Sequence, residues 1–559
     1  MKNKIVLAAL LGLAAQPLVA RESWPVPGEE IKQRDAAWRD YEHQVSSNAA
    51  PVIAEWAAKG KPFIPWAAKP EDLPQAKVPA FPGAEGGGEY SFGGRGGRIY
   101  VVTNLNDSGP GSLREACEAA GPRIVVFNVA GIIHLQKPVY IEAPYITIDG
   151  HTAPGDGVCI ADNGLVDNVH DVVIRYLRFR RGNPDIFNRH GAHYGDPVGN
   201  IIIDHCSASW GSDQNIDTYR HLYDPTNGGP TLKLPSVNVT IQWTVTSEAL
   251  NIYNHAFGGD WGGRNSMFHH NLLACNTGRN PSVAMTYDFN FVNNVLFNWS
   301  HRSVDGGGQD SLFNIINNYY KPGPATRTNG VDHRILEPAG SYNKADKSSK
   351  WGKAYVSGNV VVGHDDVTKD NWNGGVQFSK GPDADASGDT TANADLIAQV
   401  RVDKPFPMPQ VTMQSAQAAY ESVLKGVGAT LPHRDSVDER VINEVSTGKV
   451  WSEGKRIASP PMKGLAKNNI GFAGDGIITD ISQVGGYPEY QGEPLKDLGA
   501  DGIPLSWKKK YGLDANDTSL AQKDLQGDGY TVMDKYLDGL DPTKKIDWSN
   551  PKSNVNTLQ

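Results

Sequence analysis

Ser266-Met-Phe-His-His-Asn-Leu-Leu273, Phe289-Asn-Phe-Val-Asn-Asn-Val-Leu-Phe297 and Phe313-Asn-Ile-Ile-Asn-Asn-Tyr-Tyr320 are three copies of one design. Each run is rich in β-branched or aromatic residues, too short for a helix and suited to a strand. Asn271, Asn294 and Asn318 occupy one point in these runs, and Asn359 holds it again in AYVSGNVVV, which starts at Ala354. Further upstream, VTIQWTV begins at Val239, IIIDHCS at Ile201, VVIRYLRF at Val172 and YITIDG at Tyr145. From Tyr145 to Phe313 the starts fall 27, 29, 38, 27, 23 and 24 residues apart. A repeat of this length signals a solenoid whose stacked coils bury one continuous core. Sandwiches and propellers also give regular strands, but gaps that swell unevenly favour loops growing at one corner. The expected fold is all-β, a right-handed parallel β-helix with asparagines stacked in its turns. Ser112 and Glu115 form a capping box, which predicts a helix over Leu113–Ala120 that closes the open end.

The flanks read differently. Residues 21–78, rich in Ala, Trp and Pro, predict short helices and an extended lead-in wrapped on the body. The repeats occupy 79–365. Residues 366–486 are less regular, with a helix predicted from Gln414 to Leu424, and are expected to pack back on the solenoid. In 487–559, Asp497/Asp501 and Asp524/Asp528 repeat a D-x-x-x-D-G pattern resembling EF-hand or dockerin calcium loops. Gly499 and Gln526 stand at the third position and the twelfth-position Glu is missing, so the pair reads as a degenerate, small helical tail.

Composition narrows the partners. The 559 residues are 39% hydrophobic and 21% charged, as in a globular protein, and carry a net charge of −9. That balance argues against nucleic acid, which selects a basic surface. Residues 1–20 have the layout of a secretory signal: Lys2 and Lys4, an apolar run from Ile5 to Ala15, and a cleavage point after Ala20. The run is too short to span a bilayer, so the expectation is Gram-negative-type export to the periplasm or the medium, with no membrane residence. Cys117, Cys159, Cys206 and Cys275 allow three disulfide pairings. No CxxC or Cys/His spacing supports zinc, and buried free thiols on strands are the simpler expectation. Nothing calls for a second subunit, and a monomer is expected.

Four motifs carry the chemistry: Asp204-His205 in IIIDH, the Asp213-x-x-x-Asp217 pair, GRNSMFHHN from Gly263 and Arg279-Asn-Pro281. Together, in this order and spacing over roughly Phe81–Arg327, they resemble the pectate lyase family of polysaccharide lyases, in a secreted bacterial branch. The resemblance implies calcium-assisted β-elimination on α-1,4-polygalacturonate, the pectin backbone. In that reaction a base removes the C5 proton beside a carboxylate, and a cation must offset the negative charge that develops. Asp213 and Asp217 match the family's metal carboxylates. The third falls before Ile201, where Asp196 is nearest and Asp185 lies behind it. Arg279 matches the arginine base, a role that goes against the ordinary basicity of a guanidinium. Pairing with the substrate carboxylate is its other reading. In the family, Asp204 and His205 brace the turn near the metal.

Two departures stand out. Ala284 replaces the family's second arginine, and no lysine lies between Lys233 and Lys321. Arg264, His255 and Arg302 are the candidates to supply positive charge to substrate; partly esterified pectin or another uronate polymer then becomes a candidate substrate. Trp210, Trp243 and Trp261 are candidates for stacking on sugar or for core packing. A β-helix polygalacturonan hydrolase needs two carboxylic side chains across the scissile bond, which the coils bearing Arg264 and Arg279 do not offer in sequence. A non-catalytic carbohydrate-binding β-helix is the remaining alternative.

Overall fold

A computed structural model describes residues 27–183, 185, 191–226, 229–343, 348–379, 390–391, 394–459, 470–549, 554 and 558. The export signal over residues 1–20 lies outside the described residues. No described helix is long and apolar enough to cross a membrane.

The repeats wind into a right-handed parallel β-helix with three sheets. The first sheet takes Val139–Ile141, Leu165–Asp167 and His193–Tyr194, then the start of Asp260–His269, Ser282–Thr286, Val304–Gly306 and Leu336–Pro338. The second runs from Arg98–Val102 to Lys353–Ser357 and the third from Gly131–His134 to Val360–Val361. The period of two along a strand sends alternate side chains inward. Through the register, this stacks Ile148, Ile174, Ile203, Ile241, Phe268, Phe291, Ile315 and Val356 rung upon rung. All eight are buried.

The turn from second to third sheet carries the asparagine ladder. Asn294 Oδ1 accepts from the Asn271 backbone N–H at 2.9 Å, Asn318 Oδ1 from Asn294 at 2.8 Å, and Asn359 Oδ1 from Asn318 at 2.9 Å. Asn371, beyond the last strand of the third sheet, adds a rung by accepting from Asn359 at 2.9 Å. Each amide fills a backbone need that the turn leaves open. The residue before each of the first three rungs, His270, Asn293 and Asn317, sits in the left-handed region at φ 52–57°.

Each sheet acquires its own cover. One helix of 30 residues, Glu29–Ala58, forms where the composition suggested short ones. Pro51 inside it removes a helical donor, but Tyr41 and Val45 pack on Tyr140 and Val166 of the first sheet and hold it in place. Helices Ala416–Gly426 and Ser436–Thr447 bury Val423, Val427, Val441 and Val445 on the third sheet. The C-terminal tail lays Ile503, Val532 and Met533 on Ile124 and Val126 of the second. The capping-box helix spans Leu113–Glu118, with Ser112 Oγ accepting from Glu115 N–H at 3.2 Å. All four cysteines are free and buried.

In the tail loops, lysine takes the twelfth position. Lys508 Nζ lies 2.7 Å from Asp501 Oδ2, and Lys535 Nζ lies 2.7 Å from Asp528 Oδ2. Both lysines are buried, so an ammonium sits against the carboxylate that a calcium ion would otherwise use.

Candidate active site on the first sheet

Outward side chains of the first sheet form one row across the coils. Its register runs Tyr140, Val166, Tyr194, then Asp217 beside Asp260, followed by Ser282, Asp305 and Glu337. Their inward neighbours Ile216, Trp261, Val283, Val304 and Leu336 belong to the core, which turns the row outward. The first three rungs are apolar and lie under the N-terminal helix. Where that cover stops, the row becomes acidic.

Arg279 enters from a turn between the third and first sheets. Its Nη1 lies 2.9 Å from Asp260 Oδ2 and 4.0 Å from Asp213 Oδ1. Gly258 permits this approach, because a Cβ there would come within 2.6 Å of the Arg279 carbonyl oxygen. Asp217 Oδ1 accepts from the Asp260 backbone N–H at 2.8 Å, and Gln214 Nε2 donates to Asp260 Oδ2 at 2.9 Å. Burial and then the charge of Asp217 push the Asp260 carboxyl up to about 6, against the opposing pull of Arg279. Two carboxylates thus approach one guanidinium, and Asp217 stands beside the nearer of them.

Asp213, Asp217 and Arg279 are brought together, and so are two of the three substrate candidates. Arg279 and Arg302 stand over the Phe257 ring at 4.6 and 4.9 Å, and the His255 ring is 4.5 Å from the same phenyl. Arg302 also pairs with Asp305 at 3.1 Å. Arg264 lies elsewhere: at the corner toward the second sheet it donates to the Ala68 carbonyl at 3.3 Å and rests on Tyr287. Asp196 sits 3.7 Å from Arg220. It shares with Asp213 a groove of about 510 Å³ bordered by Trp38, Arg39 and Glu42 of the N-terminal helix. Asp185 pairs with Arg34 of that helix.

Asp204 and His205 lie on the turn from the second to the third sheet, one corner away from Arg279. Asp204 accepts from His205 Nδ1 at 2.7 Å, Gln242 at 2.8 Å and Arg175 at 3.0 Å, and Arg175 reaches Asp538 of the tail at 2.8 Å. His205 and Arg175 hold the buried Asp204 carboxyl well below the usual range. His205 stacks between Tyr176 and Trp243. Trp210 and Trp261 are fully buried, which leaves them no face for a sugar. A larger cavity of about 890 Å³, between Lys77–Tyr90 and Trp548, is lined by Glu85, Glu89 and Lys77, with no arginine among its described lining residues.

Asp260 did not emerge from sequence reading. The signal was Asp260-Trp-Gly-Gly directly before Arg264, but 43 residues separate it from Asp217. The hairpin Arg220–Tyr223 with Leu232–Pro235 lengthens that coil and hides that the two aspartates are neighbouring rungs.

No protein-family model matches the chain. A probable pectate lyase C from Aspergillus fumigatus is 33% identical over 474 residues, covering 83% of this chain and 94% of that protein. One from Aspergillus terreus is 32% identical over 472 residues, with the same coverage. Among solved structures, a Bacillus sp. N165 pectate lyase in complex with trigalacturonate aligns with a TM-score of 0.39 and 17% identity, over 62% of this chain and 98% of that one. With a third of positions identical across most of both sequences, the chain belongs to the pectate lyase family of polysaccharide lyases.

Proposed function

We propose that the protein is a calcium-dependent pectate lyase that binds polygalacturonate along the acidic row of the first sheet. The observation that carries this reading is the pairing of Arg279 with Asp260 and its approach to Asp213, with Asp217 bonded to the Asp260 backbone N–H beside them. Asp213, Asp217 and Asp260 bring more negative charge than Arg279 offsets, and burial together with Asp217 raises the Asp260 carboxyl. Left alone this cluster would repel an anionic sugar. The donor set is all oxygen, which fits calcium; Asp213, Asp217 and Asp260 would hold the ion, and Asp196 borders the same groove. When bound, calcium offsets the uronate carboxylate and the charge that develops beside it.

The remaining steps belong to the chain's own side chains. As a neutral guanidine, Arg279 would take the C5 proton, the C5–H electron pair becomes the C4–C5 double bond, and the C4–O pair leaves on the sugar oxygen, which takes a proton from water. Arg302 and His255, gathered at Phe257, bind further uronate carboxylates and stand in for the missing family lysine and arginine. The N-terminal helix covers the early rungs, so the sugar chain lies over Asp217 through Glu337. Acting on a wall polymer, the enzyme works as a monomer after export by the leader.

One feature favours a second reading. A buried carboxyl raised to about 6 beside a second carboxyl is also how a hydrolase prepares a general acid. Incubation with polygalacturonate, with calcium and then with chelator, separates the two. Calcium-dependent ultraviolet absorbance from unsaturated uronate, lost in Arg279→Ala, is the lyase result. New reducing ends without absorbance identify a hydrolase, and metal binding without either product identifies a carbohydrate-binding protein.

A further inference from the structure

The late coils hold a second set of ligand-bearing side chains, separate from Asp213, Asp217 and Asp260. Asp332 and His333 lie on the short helical turn Val331–His333, and His364 lies on the turn after Val360–Val361. Both segments leave the third sheet on successive coils. One donor atom from each of the three residues falls within 4.8 Å of the other two. His333 Nδ1 is 3.5 Å from Asp332 Oδ1, and His364 Nε2 is 3.4 Å from Asp332 Oδ2. The two imidazole centroids are 5.0 Å apart.

These separations exceed the 2.7–3.2 Å or so of a nitrogen–oxygen hydrogen bond. Each histidine faces its own Asp332 oxygen, at a separation close to the donor–donor edge of a tetrahedron, about 3.3 Å, around an ion ligated at about 2.0–2.1 Å. The backbone beneath is fixed. Val331 is buried and its carbonyl accepts from Trp299 Nε1 at 3.1 Å. The following residue, Arg334, is buried and donates to Gln377 at 3.0 Å. On the other side His364 N–H donates to the Val361 carbonyl at 3.1 Å, between the buried Val361 and Val367. The three side chains keep 18–29% exposure, which leaves an entry path.

We propose that Asp332, His333 and His364 form a zinc site that clamps the last two coils together, with water as fourth ligand. Two imidazoles and one carboxylate select a borderline transition metal over calcium, so this site and the acidic row take different ions. The clamp pins a 3₁₀ turn to the N-terminal end of Asp365–Lys369, where the solenoid would otherwise fray.

The test uses the full chain, stripped with chelator and returned to buffer containing excess calcium to occupy the acidic row. Zinc titration by calorimetry should show one equivalent, and cobalt should give the absorption bands of a tetrahedral site. Zinc should also raise the melting temperature. His364→Ala, and separately Asp332→Asn as a variant of unchanged shape, should each weaken zinc by about 100-fold or more, the upper end seen when even outer partners of a metal ligand are lost. Cleavage of polygalacturonate by His364→Ala should match wild type. Absence of stoichiometric zinc binding, or equal affinity in both variants and wild type, would overturn the site and leave an ordinary histidine–carboxylate cluster.

Discussion

Replacing Asp260 with asparagine keeps the shape of the side chain and an acceptor for Gln214, but removes one negative charge from the row. Burial and then the charge of Asp217 push the native carboxyl up to about 6, against 3.8 for an unperturbed one. A rise of about two units corresponds to about 3 kcal/mol. The sign follows from linkage: the folded state holds this proton more tightly than the unfolded chain does. The stabilising contribution is therefore complete below about pH 4, fades as pH rises to about 6, and is absent above that. With chelator at about pH 8, the Asp260→Asn protein should be more stable than wild type by up to about 3 kcal/mol, and the gap should close on acidification. Calcium reverses the order. A divalent ion about 3 Å from a carboxylate in water-like screening gains about 3 kcal/mol, so the variant should need about 100-fold more calcium for half-maximal binding. Thermal melts at both pH values in chelator, and a calcium titration followed by calorimetry, read these effects separately. A variant less stable than wild type in chelator at the higher pH, or one with unchanged calcium affinity, would refute Asp260 as a charge-stressed ligand.

Three other outcomes are expected. Asn294→Ala removes the acceptor of the Asn271 backbone N–H and the donor to the Phe268 carbonyl at 2.9 Å; two stranded buried groups should cost about 2–6 kcal/mol in urea unfolding, whereas a loss under about 1 kcal/mol would mean the turn relaxes around the gap. Lys535→Met leaves Asp528 buried without its ammonium and should cost about 3–5 kcal/mol; Lys535→Glu restores the twelfth-position carboxylate and should melt higher when calcium is added, unlike wild type. His221, driven down to about 4 by burial while accepting from Ala67 N–H, is held neutral in the fold. Stability should fall as pH drops from about 6.5 through about 4 by about 2–3 kcal/mol, and His221→Gln should flatten that slope in acid melts.

What sequence determined here is what neighbours along the chain can specify. Strand runs of β-branched and aromatic residues at near-regular spacing force a stacked core, because each coil alone cannot bury its apolar side. Asn271, Asn294, Asn318 and Asn359 were legible for the same reason: one turn need recurs once per coil. Arg279, Asp213 and Asp217 were legible through the resemblance, since each sits at a fixed step from a strand. The tertiary structure decided which rungs became neighbours. A hairpin between Asp217 and Asp260 changes their separation in sequence and not their separation in the sheet, so the carboxylate that pairs with the arginine was invisible until the coils were stacked. The same holds for the cover of the first sheet, where a long helix of weak amphipathic pattern is held by Tyr140 and Val166, residues about 100 positions away. It holds too for Asp332, His333 and His364, whose donors meet only because successive coils place distant turns at one corner.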